Sequence, residues 1–114
     1  MSKNYLLIYS EQFATDIELM CQNIKAPSNT IFQIRKSSSS VYANICEANY
    51  GQSKADFVSK MHIALKETAE TEYWLKLLTM SEYINEDMGK SLLNDCLEIK
   101  RILIASLNTA KENK

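Results

Sequence analysis

Residues 35–48 read RKSSSSVYANICEA. Four consecutive serines, Ser37 to Ser40, are followed by Asn44 and Glu47 within a segment whose apolar residues keep helical spacing. Ile31, Ile34, Ser38, Val41, Ile45 and Ala48 recur at alternating steps of three and four, the signature of one helix face. Phe32, Arg35, Ser39, Tyr42 and Cys46 form a second strip, and Gln33, Ser37, Ser40, Asn44 and Glu47 a third. The helix therefore offers apolar or small side chains over most of its circumference, with one polar seam. A monomer's surface helix carries a broad charged face instead. This segment is expected to be central, or shared with another subunit.

Small side chains let two helix backbones approach closely, and each serine hydroxyl can bond back to a carbonyl one turn earlier. Longer polar groups need partners once buried, because an unpaired one costs about 1–3 kcal/mol. Asn44 and Glu47 are expected to find theirs at the end of a neighbouring helix or in an opposite charge. The third apolar pattern along the chain has a matching oddity. Beside its core stripe it carries Ile63, Glu67, Glu70, Trp74 and Leu77 on another face. Glu67 or Glu70 is expected to meet Arg35, or the hydroxyl and amide seam, across a helix contact.

Three more helical patterns surround this one. Leu6, Tyr9, Phe13, Ile17, Met20 and Ile24 precede it and end at KAPSN, where Pro27 breaks the run and Ser28 or Asn29 is the expected cap. Gly51 marks the stop after the serine helix, and Ser53 with Asp56 resembles a capping box. Phe57, Met61, Ala64, Thr68, Thr71, Leu75 and Leu78 follow. Asn85 is the expected cap of the last helix, which carries Leu92, Cys96, Ile99, Leu103 and Leu107 and frays into KENK. Gly89 near its start is expected to be a local weakness.

The chain has 114 residues, two glycines and one proline, which suits a few long helices and short links. The reading is one domain over residues 1–114, an all-α, antiparallel up-down-up-down four-helix bundle. Thirteen basic and fourteen acidic side chains nearly cancel, so charge alone advertises no nucleic acid. Cys21, Cys46 and Cys96 are scattered, without metal or redox spacing, and read as reduced thiols of a cytoplasmic protein. No apolar run reaches the length of a membrane span.

Catalytic signatures are missing. A ferritin-like carboxylate centre needs Glu-x-x-His on two helices, but His62 is the sole histidine and Ser59 stands three places before it. Glu47, Glu67 and Glu70 would make only an all-carboxylate set without nitrogen ligands. The serines lack a Gly-x-Ser-x-Gly setting, and Gly51 alone cannot cradle phosphate. The expectation is no enzyme, no cofactor and no metal. Tyr42, Tyr73, Trp74 and Tyr83 can instead anchor protein contacts.

The segment SSSSVYANICEANYGQSKADFVSKMHIALKETAETEYWLKLL, residues 37–78, resembles the 23S ribosomal RNA intervening-sequence protein family of small bacterial four-helix bundles. Its pattern is carried by Arg35, Ser37, Ser40, Val41, Ala43, Asn44, Ile45, Glu47 and Ala48, then by Ser53, Phe57, Ile63, Ala64, Glu70 and Leu75. The chain departs from many relatives at Lys66 and Glu67, where they place Gly-Ser, and at Ala48, where they place Gly. The resemblance implies a barrel-like homopentamer and no particular catalysis. Interface roles then fall to Arg35, Ser37, Ser40, Tyr42, Asn44, Glu47, Glu67, Glu70 and Trp74. The related accessory variability proteins of retroelements bind nucleic acid through a strongly basic surface. Here the only adjacent basic pairs are Arg35-Lys36 and Lys100-Arg101, the candidate contacts to RNA or a ribonucleoprotein. A protein-interaction scaffold that binds no nucleic acid is the alternative.

Overall fold

The computed structural model describes residues 2–112. Four helices account for most of them: α1 (Ser2–Asn23), α2 (Ser28–Asn49), α3 (Lys54–Met80) and α4 (Glu86–Glu112). Each packs against the next, and α4 returns to α1, so the four form a closed square in section. Glu18 meets Arg35 and Glu11 meets Tyr42, a falling register that shows α1 and α2 antiparallel. Ser37 against Thr71 and Glu47 against Lys60 show the same for α2 and α3. The short link into α4 completes the up-down-up-down bundle, 46 × 21 × 20 Å.

The predicted stripes become the core. Phe13, Ile17, Ile34, Val41, Ile45, Leu75, Leu78, Cys96, Ile99 and Leu103 are all buried. Among the small polar residues, Ser10, Ser37, Ser38, Thr68 and Thr71 join them inside. Their hydroxyls bond to carbonyls of the preceding turn or to each other, so no buried side-chain nitrogen or oxygen among the described residues lacks a partner.

Helix ends follow local chemistry, with two departures. Ser53 caps α3 by accepting the Asp56 N–H at 3.1 Å, and Asn85 Oδ1 accepts the Met88 N–H at 2.8 Å. At α2, however, the cap is Pro27 and not Ser28 or Asn29. The Pro27 carbonyl already accepts the Ile31 N–H at 3.1 Å, so both polar residues fall within the first turn. Gly89 is the second departure. It is buried, and a Cβ there would collide with the Thr79 side chain, so its bareness lets α4 approach α3. The predicted weakness is a packing requirement.

The α3–α4 link is built without glycine. Glu82 takes φ 65°, the Tyr83 N–H bonds Leu78 O at 3.0 Å, and the Glu82 N–H bonds Thr79 O at 3.1 Å. That hydrogen-bond pair is a Schellman closure. Helix α4 continues through Lys111 and Glu112, so the predicted fraying is not seen there, and the rest of KENK lies outside the described residues.

Candidate functional site: the outer faces of the second and third helices

The serine run divides by face. Ser37 and Ser38 are buried, Ser40 is half-buried and Ser39 is exposed. Ser37 meets Thr71 of α3 at 2.8 Å, oxygen to oxygen, the one side-chain hydrogen bond joining these helices inside the core. Ser37 Oγ also lies 3.3 Å from Ile34 O, and Thr71 Oγ1 lies 2.9 Å from Glu67 O. Each hydroxyl therefore has a carbonyl of its own helix and a neighbour on the other. Two small residues facing each other explain why α2 and α3 share the most extensive contact in the bundle.

The longer polar residues behave differently from expectation. Arg35 grips Glu18 of α1 through Nε at 2.8 Å and Nη2 at 3.0 Å, and within the chain it does not meet Glu67 or Glu70. The reason is direction: Arg35 lies on the flank of α2 that faces α1. The guanidinium beside it holds the Glu18 carboxyl below its usual range, with Gln22 contributing. Asn44 turns back on its own helix, donating to Ser40 O at 2.8 Å and Ser40 Oγ at 3.1 Å, so it fixes no neighbour. Glu47 does cross to α3, where Lys60 Nζ sits 2.8 Å away.

Tyr42 also turns toward α1. Its hydroxyl donates to Glu11 Oε2 at 3.1 Å, and the neighbouring Cys46 thiol first, then Glu11, push the phenol up to about 12. On α3, Glu70 Oε2 accepts a long 3.4 Å bond from Trp74 Nε1. Glu67 and Glu70 enter no ion pair among the described residues. Both are half-buried beside Trp74 and the exposed Ile63. Phe32 (60% exposed) and Tyr50 (84%) stand outward from α2, while Tyr73 (57%) and Met80 (82%) stand outward from α3.

The candidate phosphate contacts do not converge. Arg35 and Lys36 lie on α2, Lys100 and Arg101 on α4, and these two helices do not touch. Lys100 is engaged by Glu72 at 3.2 Å and Arg101 by Glu98 at 2.5 Å. Lys36 alone of the four makes no ion pair among the described residues. A metal set does not gather either: among the described residues no three of His, Cys, Asp and Glu come together. The thiols are free, with Cys21 and Cys96 buried and Cys46 half-buried. Burial pushes the Cys96 thiol up to about 12.

Sequence reasoning missed Glu18 and Glu11 as the partners of α2, although their seven-residue spacing matched that of Arg35 and Tyr42. It also missed a groove between α1 and α4, taken up below. No helix among the described residues is long and apolar enough to cross a membrane.

These features coincide with a known family. No curated protein matches the sequence. A crystal structure of a protein of unknown function from the S23 ribosomal protein family of Bacteroides thetaiotaomicron VPI-5482 is similar, at 39% identity and TM-score 0.88. The likeness covers 95% of this chain and 99% of that one. Family comparison matches residues 7–105, which include the serine helix, the Glu67–Trp74 face and the α1–α4 groove. The chain belongs to the 23S rRNA-intervening sequence protein family.

Proposed function

We propose that this chain is a non-catalytic subunit of a homo-oligomer, five copies by family resemblance, that associates with RNA or a ribonucleoprotein. The observation that carries the reading is the outer surface of α2 and α3. It leaves Phe32, Tyr50, Tyr73 and Met80 more than half exposed, with two carboxylates, Glu67 and Glu70, that pair with no cation among the described residues. Large exposed apolar groups rimmed by polar ones mark association surfaces. Repetition around a ring would gather several weak basic clusters, which offsets the modest charge of each copy. The cytoplasm, where the thiols stay reduced, is the matching compartment.

Light scattering on the purified protein tests assembly: a multiple of the single-chain mass supports it, and single-chain mass at high concentration sinks it. Titration with structured RNA at two salt concentrations tests the second half. Electrostatic binding weakens steeply as salt rises, and no binding at low salt removes that half.

A protein-interaction scaffold without nucleic acid is the second reading, and the balance of charge favours it. Net charge is −1, and three of the four candidate phosphate-binding cations already hold carboxylates. Capture of one partner that survives nuclease treatment would select it.

A further inference from the structure

The contact between α1 and α4 is the sparsest in the bundle. Toward one end it opens into a groove of about 550 Å³, with Leu19, Met20, Ile24, Met88 and Leu92 among its walls. Asp16 and Asp95 stand at its edge from opposite helices. Neither carboxylate pairs with a cation among the described residues, although Asp16 accepts a 2.9 Å bond from Gln12 Nε2. Burial, and then the charge of Asp16, raise the Asp95 carboxyl above its usual range. The groove thus combines an apolar floor with two negative charges that repel each other.

A complementary pair sits on another face of the same chain. Phe32 and Lys36 are one turn apart on the outward side of α2, Phe32 60% exposed and Lys36 without an ion pair among the described residues. Their height matches. The register set by Glu18–Arg35 and Glu11–Tyr42 puts Lys36 level with Ile17, next to Asp16, and Phe32 level with Cys21, midway along the groove-lining part of α1. A cyclic ring whose axis runs parallel to the helices relates copies by rotation alone, so touching groups must lie at equal height. A contact between two different faces is also the kind that closes into rings.

We propose that a second copy of this chain docks its α2 on the α1–α4 groove, seating Phe32 among Leu19, Met20 and Met88 and placing Lys36 between Asp16 and Asp95. The contact rests on the homo-oligomer reading and names its two faces. The ammonium relieves the carboxylate repulsion, and the phenyl ring covers apolar wall that α1 and α4 leave open. Glu67 and Glu70 lie on α3 and take no part in this contact.

Charge exchange tests the pairing. Lys36→Glu and Asp95→Lys, made singly, are each expected to weaken self-association at least tenfold by light scattering across a dilution series. The double variant, with the charges exchanged, is expected to regain the wild-type mass. Phe32→Ala provides an uncharged third variant, expected to dissociate as well, and circular dichroism verifies that all remain helical. Lys66→Glu, on the outward side of α3, is expected to leave the mass unchanged. Singles that keep the wild-type mass, or a double no better assembled than they are, overturn this contact while leaving the oligomer standing. A wild-type chain that never exceeds single-chain mass overturns both.

Discussion

The α2–α3 seam and the α1–α4 seam are built from similar materials and end differently. In the first, Ser37 and Thr71 are small enough to let the backbones close, and their hydroxyls meet at 2.8 Å. In the second, Asp16 and Asp95 oppose each other, and the helices part into a groove of about 550 Å³, while a separate cavity of about 690 Å³ lies among α1, α3, α4 and the end of α2. Size and charge at the contact decide the outcome, because packed interiors tolerate no gap beneath a short side chain, while like charges resist approach. The close seam spends its polar groups on the fold. The open seam leaves its own available to a visitor.

One substitution made in both seams would break this comparison most sharply. Ser37→Leu forces three extra carbons between α2 and α3 and removes Thr71's partner across the seam, so a loss of about 3 kcal/mol is expected in urea unfolding. Ser106→Leu, on α4, enters the wall of the larger cavity, which α1 and α4 share with α3, where space exists, and is expected to stay within about 0.5 kcal/mol of wild type. Equal losses at the two sites would show that the seams do not differ in packing.

Gly89→Ala extends the test to the α3–α4 seam. On an exposed helix the change would gain about 1 kcal/mol. Here the added methyl collides with Thr79 Oγ1 and stands 3.1 Å from Thr79 Cβ, so a net loss of about 1–2 kcal/mol is expected in the same assay. A gain would mean that Thr79 moves aside freely.

Much of this architecture was legible in the sequence because helix stripes obey a fixed period. Every residue of the serine helix's apolar stripe beyond Ile31 is buried, as are Ser37 and Ser38. Partners were harder to read. Spacing places Arg35 on a strip of α2, but only the bundle's order in space decides whether α1 or α3 faces that strip, and the answer was α1. Gly89 misled for a related reason: propensity is a property of one helix, whereas close approach belongs to two. The α1–α4 groove lay furthest from view, since it arises from residues about 80 positions apart whose charges repel.

A smaller effect measures the polar link in the close seam. Thr71→Val keeps volume while removing the hydroxyl, and Ser37→Ala removes its partner. Each alone is expected to cost about 1 kcal/mol, the double less than their sum by about 0.5 kcal/mol or more, because both removals break the same bond across the seam. Strict additivity would mean that each hydroxyl is satisfied by its own helix, at Ile34 O and Glu67 O.

The finest distinction is one of protons, between two carboxylates on opposite sides of α4. Glu72 lies half-buried between Lys76 and Lys100, which hold its carboxyl below the usual range, Lys76 contributing most. Asp95, facing the groove, is shifted upward by burial and by Asp16. The signs oppose. A lowered folded value gives Glu72 a stabilising contribution that is present above the unfolded pKa of about 4.3 and lost as pH falls through the folded one. A raised value gives Asp95 a contribution that is present below the unfolded pKa of about 3.9 and lost as pH rises through the folded one. In separated subunits, Glu72→Gln is therefore expected to lower stability at pH 7 by an amount that shrinks toward pH 3, and Asp95→Asn to raise it by an amount that shrinks likewise. Carboxyl-carbon NMR titration reads the two midpoints directly. If Asp95 titrates below an ordinary aspartate even when subunits are apart, a cation of its own chain already reaches it, and the groove has no unmet charge to offer.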